Sequence, residues 1–320
     1  MSKIAYILGH AHSVSTLLDV LLGSHASAVS TGELWAFPIW VKENRPCSCG
    51  KPVRECSFWG QVLALLQKEF YVNADELHPP DELRPPGRLW KIKAAWSKRP
   101  DIPREKALSY CKQEEMLFQA IQEVSGASLI VDSSKMLHRL IKLRTSNVLD
   151  IKVIHLVRDG RAALDSARRA AKRRAVRGEM VLRRHTNPLW IYSGWITTMR
   201  GQLNFLRMLN PSEYRRVTYE TLARDPERIV QELCVFLGIE FDPTVLDPTS
   251  PRYVFKQPHH IIGGSRLLRM VKRVPETPIE YKDDWERNLG LLDRALFGIL
   301  GGTVLNRRLG VISHYRRGKE

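Results

Sequence analysis

Short apolar runs alternate with helix-like segments along most of this 320-residue chain. The runs at 3–9, 28–33, 128–135, 151–160 and 214–220 have the length and composition of buried strands, and the segments between them are rich in helix formers. Parallel strands need such crossover segments, because a tight hairpin turn joins only antiparallel neighbours. The sequence therefore predicts an α/β fold, a P-loop-like three-layer domain whose central, mainly parallel sheet is flanked by helices.

The alternation also predicts a single domain. No internal repeat and no linker-like segment interrupts it, so we expect one domain over residues 1–320. The pattern weakens near 71–104, where HPPDELRPPG and SKRPDIP carry six prolines. Long irregular segments inside a compact domain are often functional, so we interpret this insert as a lid or acceptor-recognition surface. A basic tail follows near 303–320.

A strong positive charge favours anionic partners. The chain has 50 Lys and Arg against 34 Asp and Glu, a net charge of +16, and its basic residues are dense in 168–184 and in the tail. Nucleic acid, membrane headgroups, and phosphorylated or sulfated small molecules all fit this balance, as does a solvated helix face. Peripheral membrane contact through the basic segments stays open, whereas nucleic acid is not expected, because no recognised nucleic-acid module is present.

The sequence carries no sign of membrane insertion or secretion. No apolar run reaches the length of about 18 residues that a membrane-spanning helix needs, so we predict no transmembrane segment. The first residues, MSKIAYILG, enter a strand-like run at once, without the charged start, apolar stretch and cleavage site of a signal peptide. We therefore expect a cytoplasmic protein.

The loop after the first strand has the outline of a phosphate site. A helix N-terminus attracts anions through unpaired N–H groups, and Ser13, Ser15 and Thr16 add hydroxyls there. Counted from Gly9, the spacing is that of a P-loop, but Val14 stands at the second glycine and Ser15 at the lysine. Phosphoryl-transfer enzymes use that lysine with Mg²⁺ to neutralise phosphate charge. A sulfuryl group carries fewer negative oxygens than a terminal phosphoryl group, so its transfer needs less neutralisation and is compatible with a metal-free site.

These motifs resemble the sulfotransferases that use 3′-phosphoadenosine 5′-phosphosulfate (PAPS), in their bacterial branch related to carbohydrate and tyrosylprotein sulfotransferases. HSVSTLL, residues 12–18, is similar to the family's 5′-phosphosulfate motif, and LVRDGRAALDS supplies Arg158 and Ser166 at the spacing of its 3′-phosphate motif. HASAVSTGE, CSCGKPVRECSFW, VDSSK, VTYETLARDPERIVQELCVFLGI and HHIIGGSRLLR resemble further family segments, so the likeness spans about 3–290.

The resemblance implies a role for several side chains. Glu33 would be the base that deprotonates the acceptor hydroxyl, and Lys135 would reach the transferring sulfuryl group. His12 stands where the family has Arg or Lys, so it is either a protonated phosphate ligand or a competing base. Val14 replaces a glycine, and we expect the valine to avoid a positive φ there, with adjusted loop geometry. The donor-binding positions are His12, Ser13, Val14, Ser15, Thr16, Arg158, Ser166, Tyr219, Gly264, Ser265 and Arg266.

Two other functions stay open from the residues alone. A P-loop-type kinase or NTPase would bind ATP, but it would leave the Arg158–Ser166 pair without a use. A non-enzymatic basic protein would bind nucleic acid or another anion through the dense basic segment, with steep salt dependence. For the preferred sulfotransferase, the product is adenosine 3′,5′-bisphosphate and the acceptor is an unidentified hydroxyl of a carbohydrate, lipid or natural product.

Three of the five cysteines are close together in the sequence. Cys47, Cys49 and Cys56 could bind zinc together with one more ligand, but their spacing, C-x-C-x6-C, is not a standard zinc signature. A disulfide is not expected in a cytoplasmic protein. We interpret the segment as a structural knuckle and predict no metal site.

Overall fold

A computed structural model describes residues 2–76, 87–97, 104–243, 252–254, 260–263, 276–278, 281 and 284–311. Its main sheet is ordered β2-β3-β1-β4-β5, and every neighbouring pair in it is parallel. The predicted α/β fold and all five predicted strands are confirmed. The sheet strands are β1 (Ser2–Gly9), β2 (Ala28–Gly32), β3 (Leu129–Lys135), β4 (Leu149–Val157) and β5 (Tyr214–Thr218). A separate antiparallel pair joins β6 (Arg252–Val254) to β7 (Glu276–Pro278).

Helices connect the strands and cover the sheet. They are α1 (Ser15–Gly23), α2 (Phe37–Lys42), α3 (Trp59–Glu69), α4 (Arg88–Trp96), α5 (Arg104–Ser125), α6 (Leu137–Leu143), α7 (Gly160–Val176), α8 (Pro188–Leu206), α9 (Tyr219–Arg224), α10 (Pro226–Leu237), α11 (Trp285–Asn288), α12 (Leu291–Ile299) and α13 (Gly302–Leu309). In the described part of the chain, none of them combines the length and the hydropathy that crossing a bilayer requires.

The central strand β1 is buried on both faces. Ile4, Tyr6 and Leu8 belong to the apolar cluster on one face of the sheet, whereas Ala5 and Ile7 belong to the cluster on the other. Successive strand side chains point to opposite faces, so an unbroken apolar run fits only a strand covered on both sides. This burial fixes β1 in the middle of the sheet and its carboxyl end, Gly9, in the middle of one sheet edge.

Helix α1 packs very closely on β2. A Cβ atom added to Gly23 would lie 2.3 Å from the Cβ of Ser30. The sequence pattern predicts a helix that ends at Gly23, and α1 does end there. The glycine is needed for this close approach, since its φ is not positive.

A buried ionic network ties β3 to its flanking helices. Arg139 of α6 pairs with Asp132 of β3 at 2.9 Å and with Glu114 of α5 at 2.7 Å, and it also bonds the hydroxyl of Tyr110. Breaking a buried pair like this usually costs about 3–5 kcal/mol, because the remaining charge has no partner. Asp132 therefore holds the scaffold together and lies inside the strand.

The predicted proline-rich insert is described in part. Its residues 88–96 form α4, which packs along α8, where the Asn204 amide donates to the carbonyl of Ala95 at 3.0 Å. Residues 77–86 and 98–103 of the insert and 312–320 of the basic tail lie outside the described residues.

Candidate active site

The loop between β1 and α1 ends in an uncapped, buried helix start. Helix α1 begins at Ser15, and no side chain caps it. All nine of its residues are buried, so water does not readily replace the missing cap. The first N–H groups of a helix have no intrahelical acceptor, and a buried helix start of this kind is typical of an anion site. The structure therefore retains the phosphate-loop outline that the sequence predicts.

Two residues in this loop adopt left-handed backbone conformations. Val14 has φ 68° and ψ 25°, and His12 has φ 70°. The expectation that valine would avoid a positive φ is wrong. A left-handed conformation costs an L-residue about 1–2 kcal/mol. The turn into α1 is kept despite that cost, so the loop geometry matches the one that a glycine would give.

We expect the Val14→Gly protein to be more stable than the Val14→Ala protein, by about 1 kcal/mol. Both changes remove the valine side chain, but only glycine relieves the positive φ. At an ordinary helical position glycine is the less stable choice by about 0.5–1 kcal/mol. The exposed Val235 of α10 supplies the matched control pair, for which the order should reverse. Urea unfolding of the four proteins measures both differences, and the same order at the two sites would contradict the assignment of strain.

Arg158 lies directly behind this loop, at the end of β4. Its Nη1 donates to the carbonyl of His12 at 3.2 Å, and its guanidinium carbon lies 4.5 Å from the centroid of the Tyr219 ring. The residue is buried, and its Nε has no hydrogen-bond partner among the described residues. The buried Oγ of Ser13 also lacks one within that part of the chain. Unpaired buried donors are costly, so two of them beside a helix N-terminus favour an anionic ligand.

Ser166 reaches the same loop from α7. Its Oγ lies 3.3 Å from Nδ1 of His12. The predicted pair Arg158 and Ser166 therefore meets the predicted phosphate loop at one place, with both residues in contact with His12. Tyr219 lies beneath Arg158, at the start of α9. Gly264, Ser265 and Arg266 lie outside the described residues.

The surroundings of His12 disfavour its protonated form. The residue is exposed, but it lines a narrow pocket with His10, Ser13 and Arg158. Loss of hydration there, followed by the charges of Arg158 and Lys135, lowers the pKa of His12 to about 4. Because the neighbouring charges are all positive, partial exposure of the ring can weaken this shift without reversing it. Without a bound anion, His12 is therefore a poor substitute for the permanent cation of the family motif.

Glu33 and Lys135 form an ion pair at the neighbouring strand ends. The Lys135 ammonium contacts Oε1 of Glu33 at 2.6 Å, and the indole N–H of Trp35 donates to Oε2 at 3.0 Å. Both charged side chains are largely shielded from solvent. Lys135 also adopts a left-handed φ of 66°, which makes it the third strained residue at the site after His12 and Val14. Sequence reasoning predicted both charged residues as catalytic but missed Trp35.

The backbone of Glu33 is fixed by a distant segment. The Glu33 N–H donates to the carbonyl of Ile262 at 2.9 Å, and the Ile262 N–H donates to the carbonyl of Thr31 at 3.1 Å. A Cβ atom on Gly263 would lie 2.8 Å from the Cβ of Glu33. Ile262 and Gly263 belong to the family-like segment HHIIGGSRLLR. This segment thus pairs with the end of β2, a contact that the sequence did not predict.

Comparison with known proteins identifies the family to which the chain belongs. The model of the Sulfotransferase family matches residues 70–243, a range that includes Lys135, Arg158, Ser166 and Tyr219. This match covers more than half of the chain. The chain belongs to the sulfotransferase family.

The sulfotransferase has similar relatives among curated proteins and solved structures. It is 31% identical over 116 residues to mouse carbohydrate sulfotransferase 5, a match that covers 32% of this chain and only 29% of the mouse protein. The sulfotransferase domain of the Synechococcus PCC 7002 olefin synthase aligns with a TM-score of 0.50 at 22% identity, covering 94% of both chains. Sulfotransferase STF9 from Mycobacterium avium also gives 0.50, at 12% identity, over 99% of this chain and 79% of that chain.

A buried hydrogen-bond chain supports the loop between β1 and α1 from behind. The Arg216 guanidinium donates to Nδ1 of His155 at 3.3 Å, and Nε2 of His155 contacts the Gln202 carbonyl oxygen at 3.1 Å. The Gln202 amide then donates to the carbonyl of Gly9 at 2.8 Å. This pattern assigns the ring proton to Nε2. Gln202 was missed from the sequence, because nothing in a helical segment marks one polar residue as buried.

We expect acid to destabilise the protein through His155. Burial, reinforced by Arg216, lowers the pKa of His155 from 6.5 to about 3. The unfolded chain therefore binds one more proton there between these values, so stability is complete above pH 6.5 and falls as the pH drops. The contribution of this residue is a slope of up to about 1.4 kcal/mol per pH unit.

Replacing His155 with glutamine should remove that slope. The free energy of unfolding of His155→Gln and of the unchanged protein, measured between pH 4 and 7, should converge as the pH falls. Other groups with shifted pKa values contribute the same pH dependence to both proteins. The difference between the two free energies of unfolding therefore reports the protonation of His155. Parallel curves would show that His155 is protonated in the folded state.

Proposed function

We propose that this protein moves a sulfuryl group from PAPS to a hydroxyl of an acceptor. The observation that carries the proposal is the meeting of two sets of groups at one sheet edge. The uncapped start of α1, Arg158 and Ser13 offer donors for a phosphate, and the Glu33–Lys135 pair lies at the next two strand ends. The two sets are neighbours, since the charge of Lys135 contributes to the pKa of His12.

The donor nucleotide would be held by the loop and by the ends of β4 and β5. Backbone N–H groups at the start of α1, with the Ser13, Ser15 and Thr16 hydroxyls, would bind the 5′-phosphosulfate. Arg158 and Ser166 would bind the 3′-phosphate by charge-assisted hydrogen bonds. Their present contacts to His12 support a loop that is already shaped for the ligand.

Glu33 would act as the base. Its carboxylate would take the proton of the acceptor hydroxyl while the acceptor oxygen bonds to sulfur and the bond from sulfur to the phosphate oxygen breaks. Lys135 would turn from Glu33 toward the transferring group or the leaving oxygen, which gains negative charge. The ion pair supports this assignment, because it brings the carboxylate and the ammonium group to the same point.

His12 would respond to the bound donor. A phosphate next to its ring offsets the positive charges that now disfavour protonation, so its pKa should rise on binding. The same residue is the alternative base if Glu33 proves dispensable. A metal has no assigned part in this transfer, because the loop and Arg158 supply the phosphate donors.

The acceptor is proposed only as a class of compound, whereas the donor is proposed as one molecule. A carbohydrate hydroxyl is the first to test, because a curated relative is named a carbohydrate sulfotransferase; lipid and natural-product hydroxyls come next. Incubating the protein with labelled PAPS and an extract of its source cells, followed by identification of the labelled product, would distinguish them.

Nucleotide binding tests the proposal directly. Isothermal titration calorimetry should give tight binding of adenosine 3′,5′-bisphosphate without Mg²⁺ and weak binding of ATP with or without it. Tight binding of ATP without binding of the bisphosphate would favour a kinase or NTPase. Binding of neither, with retention of salt-sensitive binding to polyanions, would favour a basic anion-binding protein.

A further inference from the structure

Four metal-ligating side chains converge away from the proposed transfer site. Cys47, Cys49 and Cys56 meet His260, which is 204 residues beyond Cys56, and their ligand atoms all lie within 4.8 Å of one another. Nδ1 of His260 is 3.0 Å from Sγ of Cys56 and 3.9 Å from Sγ of Cys47. Sγ of Cys49 is 3.6 Å from that of Cys56. The fourth ligand that the sequence lacks near the cysteines is therefore supplied by the fold.

These separations match a tetrahedral zinc site. Bond lengths of about 2.3 Å to sulfur and about 2.0–2.1 Å to nitrogen place two sulfurs about 3.8 Å apart and a sulfur and a nitrogen about 3.6 Å apart. The sulfur pair at 3.6 Å and the two sulfur–nitrogen contacts at 3.0 and 3.9 Å lie around these values. A small shift of the imidazole would make the two sulfur–nitrogen distances equal.

The surroundings hold the ligands in place. Cys47 and Cys56 are buried, and Phe58 stacks on the His260 ring with centroids 5.4 Å apart. The Trp59 indole donates to the carbonyl of His260 at 2.6 Å. The cysteine loop is closed by a bond from the Cys47 N–H to the carbonyl of Lys51 at 2.9 Å. Such a supporting shell is what orients the ligands of a metal site.

We propose that Cys47, Cys49, Cys56 and His260 bind a structural Zn²⁺. Three thiolates and an imidazole favour zinc over the harder cations Mg²⁺ and Ca²⁺. Four protein ligands leave no open position for substrate or water, so the ion stabilises the fold and takes no part in catalysis. Binding displaces the thiol protons, so occupancy should fall as the pH is lowered.

The ion would clamp two remote segments beside β2. Ser48 accepts the Ile261 N–H through its Oγ at 2.9 Å and donates its own N–H to the carbonyl of Ile261 at 3.1 Å. Ile262 in turn fixes the backbone of Glu33. The metal would thus hold the segment that positions Glu33; this consequence rests on the proposed function, whereas the metal site itself does not.

Metal analysis of the purified full chain tests the site without any activity measurement. Protein expressed with zinc in the medium should contain about one Zn²⁺ per chain by inductively coupled plasma mass spectrometry. Replacement by Co²⁺ should give the intense visible bands of a tetrahedral ion and the near-ultraviolet band of thiolate ligation. Metal-free protein without a cobalt spectrum would overturn the proposal, as would an intact mass that shows a disulfide among these cysteines.

Single substitutions locate the site. Cys49→Ser and His260→Asn should lower the zinc content to near zero, whereas Cys111→Ser should retain it. Cys111 is a buried cysteine outside the cluster whose thiol contacts the carbonyl of Leu143, a bond that serine can also make. Since a variant could lose metal by unfolding, circular dichroism and chelator titration of the unchanged protein accompany the analysis. Folded variants that keep full zinc content would overturn the ligand assignment.

A chelator experiment separates this inference from the proposed function. Removing the metal should lower the melting temperature of the unchanged protein, and adding Zn²⁺ back should restore it. Bisphosphate binding need not change for this result to hold. Loss of zinc with no change in melting temperature would contradict a structural role.

Discussion

Replacing Glu33 with glutamine is expected to lower kcat for sulfuryl transfer by about 10²–10⁴-fold. The amide keeps the size of the side chain and accepts from Trp35, but it cannot take a proton from the acceptor. Adenosine bisphosphate should still bind with a nearly unchanged Kd, because Glu33 is placed with the acceptor and not with the phosphates. Steady-state kinetics with labelled PAPS measure kcat, and calorimetry measures the Kd of the bisphosphate.

The matched control for this change is Glu123→Gln, on an exposed position of α5. It should leave kcat unchanged. An unchanged kcat in Glu33→Gln itself would remove Glu33 as the base, and the same assay on His12→Ala would then test the alternative. Loss of bisphosphate binding together with activity would instead show that the ion pair with Lys135 shapes the nucleotide site.

Replacing Arg158 with alanine is expected to weaken bisphosphate binding by about 10–10²-fold, the equivalent of a lost hydrogen bond to a charged group. Arg158 is buried, and within the described part of the chain its Nε has no hydrogen-bond partner beside the loop, so its charge is little screened by water. Arg158→Lys should bind with intermediate affinity, since lysine keeps the charge but loses the planar fork. Calorimetric titration of each protein with the bisphosphate gives the comparison.

Arg177→Ala is the control for Arg158. Arg177 is exposed next to the end of α7 and pairs only with nearby Glu179 among its described contacts, so its removal should not affect Kd. The melting temperature of Arg158→Ala shows whether the loop has collapsed, because Arg158 also bonds the His12 carbonyl. Undiminished affinity in a folded Arg158→Ala protein would contradict the assignment of the 3′-phosphate site.

Much of the fold could be predicted because its signals are local. The strands β1 and β4 are short runs rich in apolar residues, and burial of both faces of β1 leaves no alternating pattern to misread. The site residues could be located near the strand ends, because parallel strands align their carboxyl ends at one edge. Glu33, Lys135, Arg158 and Tyr219 all lie there. Their individual roles in transfer stay predictions until the variants are assayed.

The rest depends on contacts between residues far apart in the chain. Glu33 and Lys135 are 102 residues apart, and Gln202 and Gly9 are 193 apart. No local pattern marks such partners, since their side chains meet only after the strands have been ordered. At Val14 a local preference gave the wrong prediction. Valine disfavours a left-handed backbone conformation, but the surrounding structure imposes one there.

The class of fold, the strand-loop-helix outline of the loop after β1 and the net positive charge could all be obtained from the sequence. These follow from hydrophobic periodicity, helix termini and charge, which act over a few residues or over the whole chain. The strand order, the ion pair between Glu33 and Lys135, the lowered pKa of His12 and the meeting of His260 with the three cysteines depend on the tertiary structure. The physical reason is that ion pairs, desolvation and metal ligation depend on distances of a few ångströms, which folding alone sets.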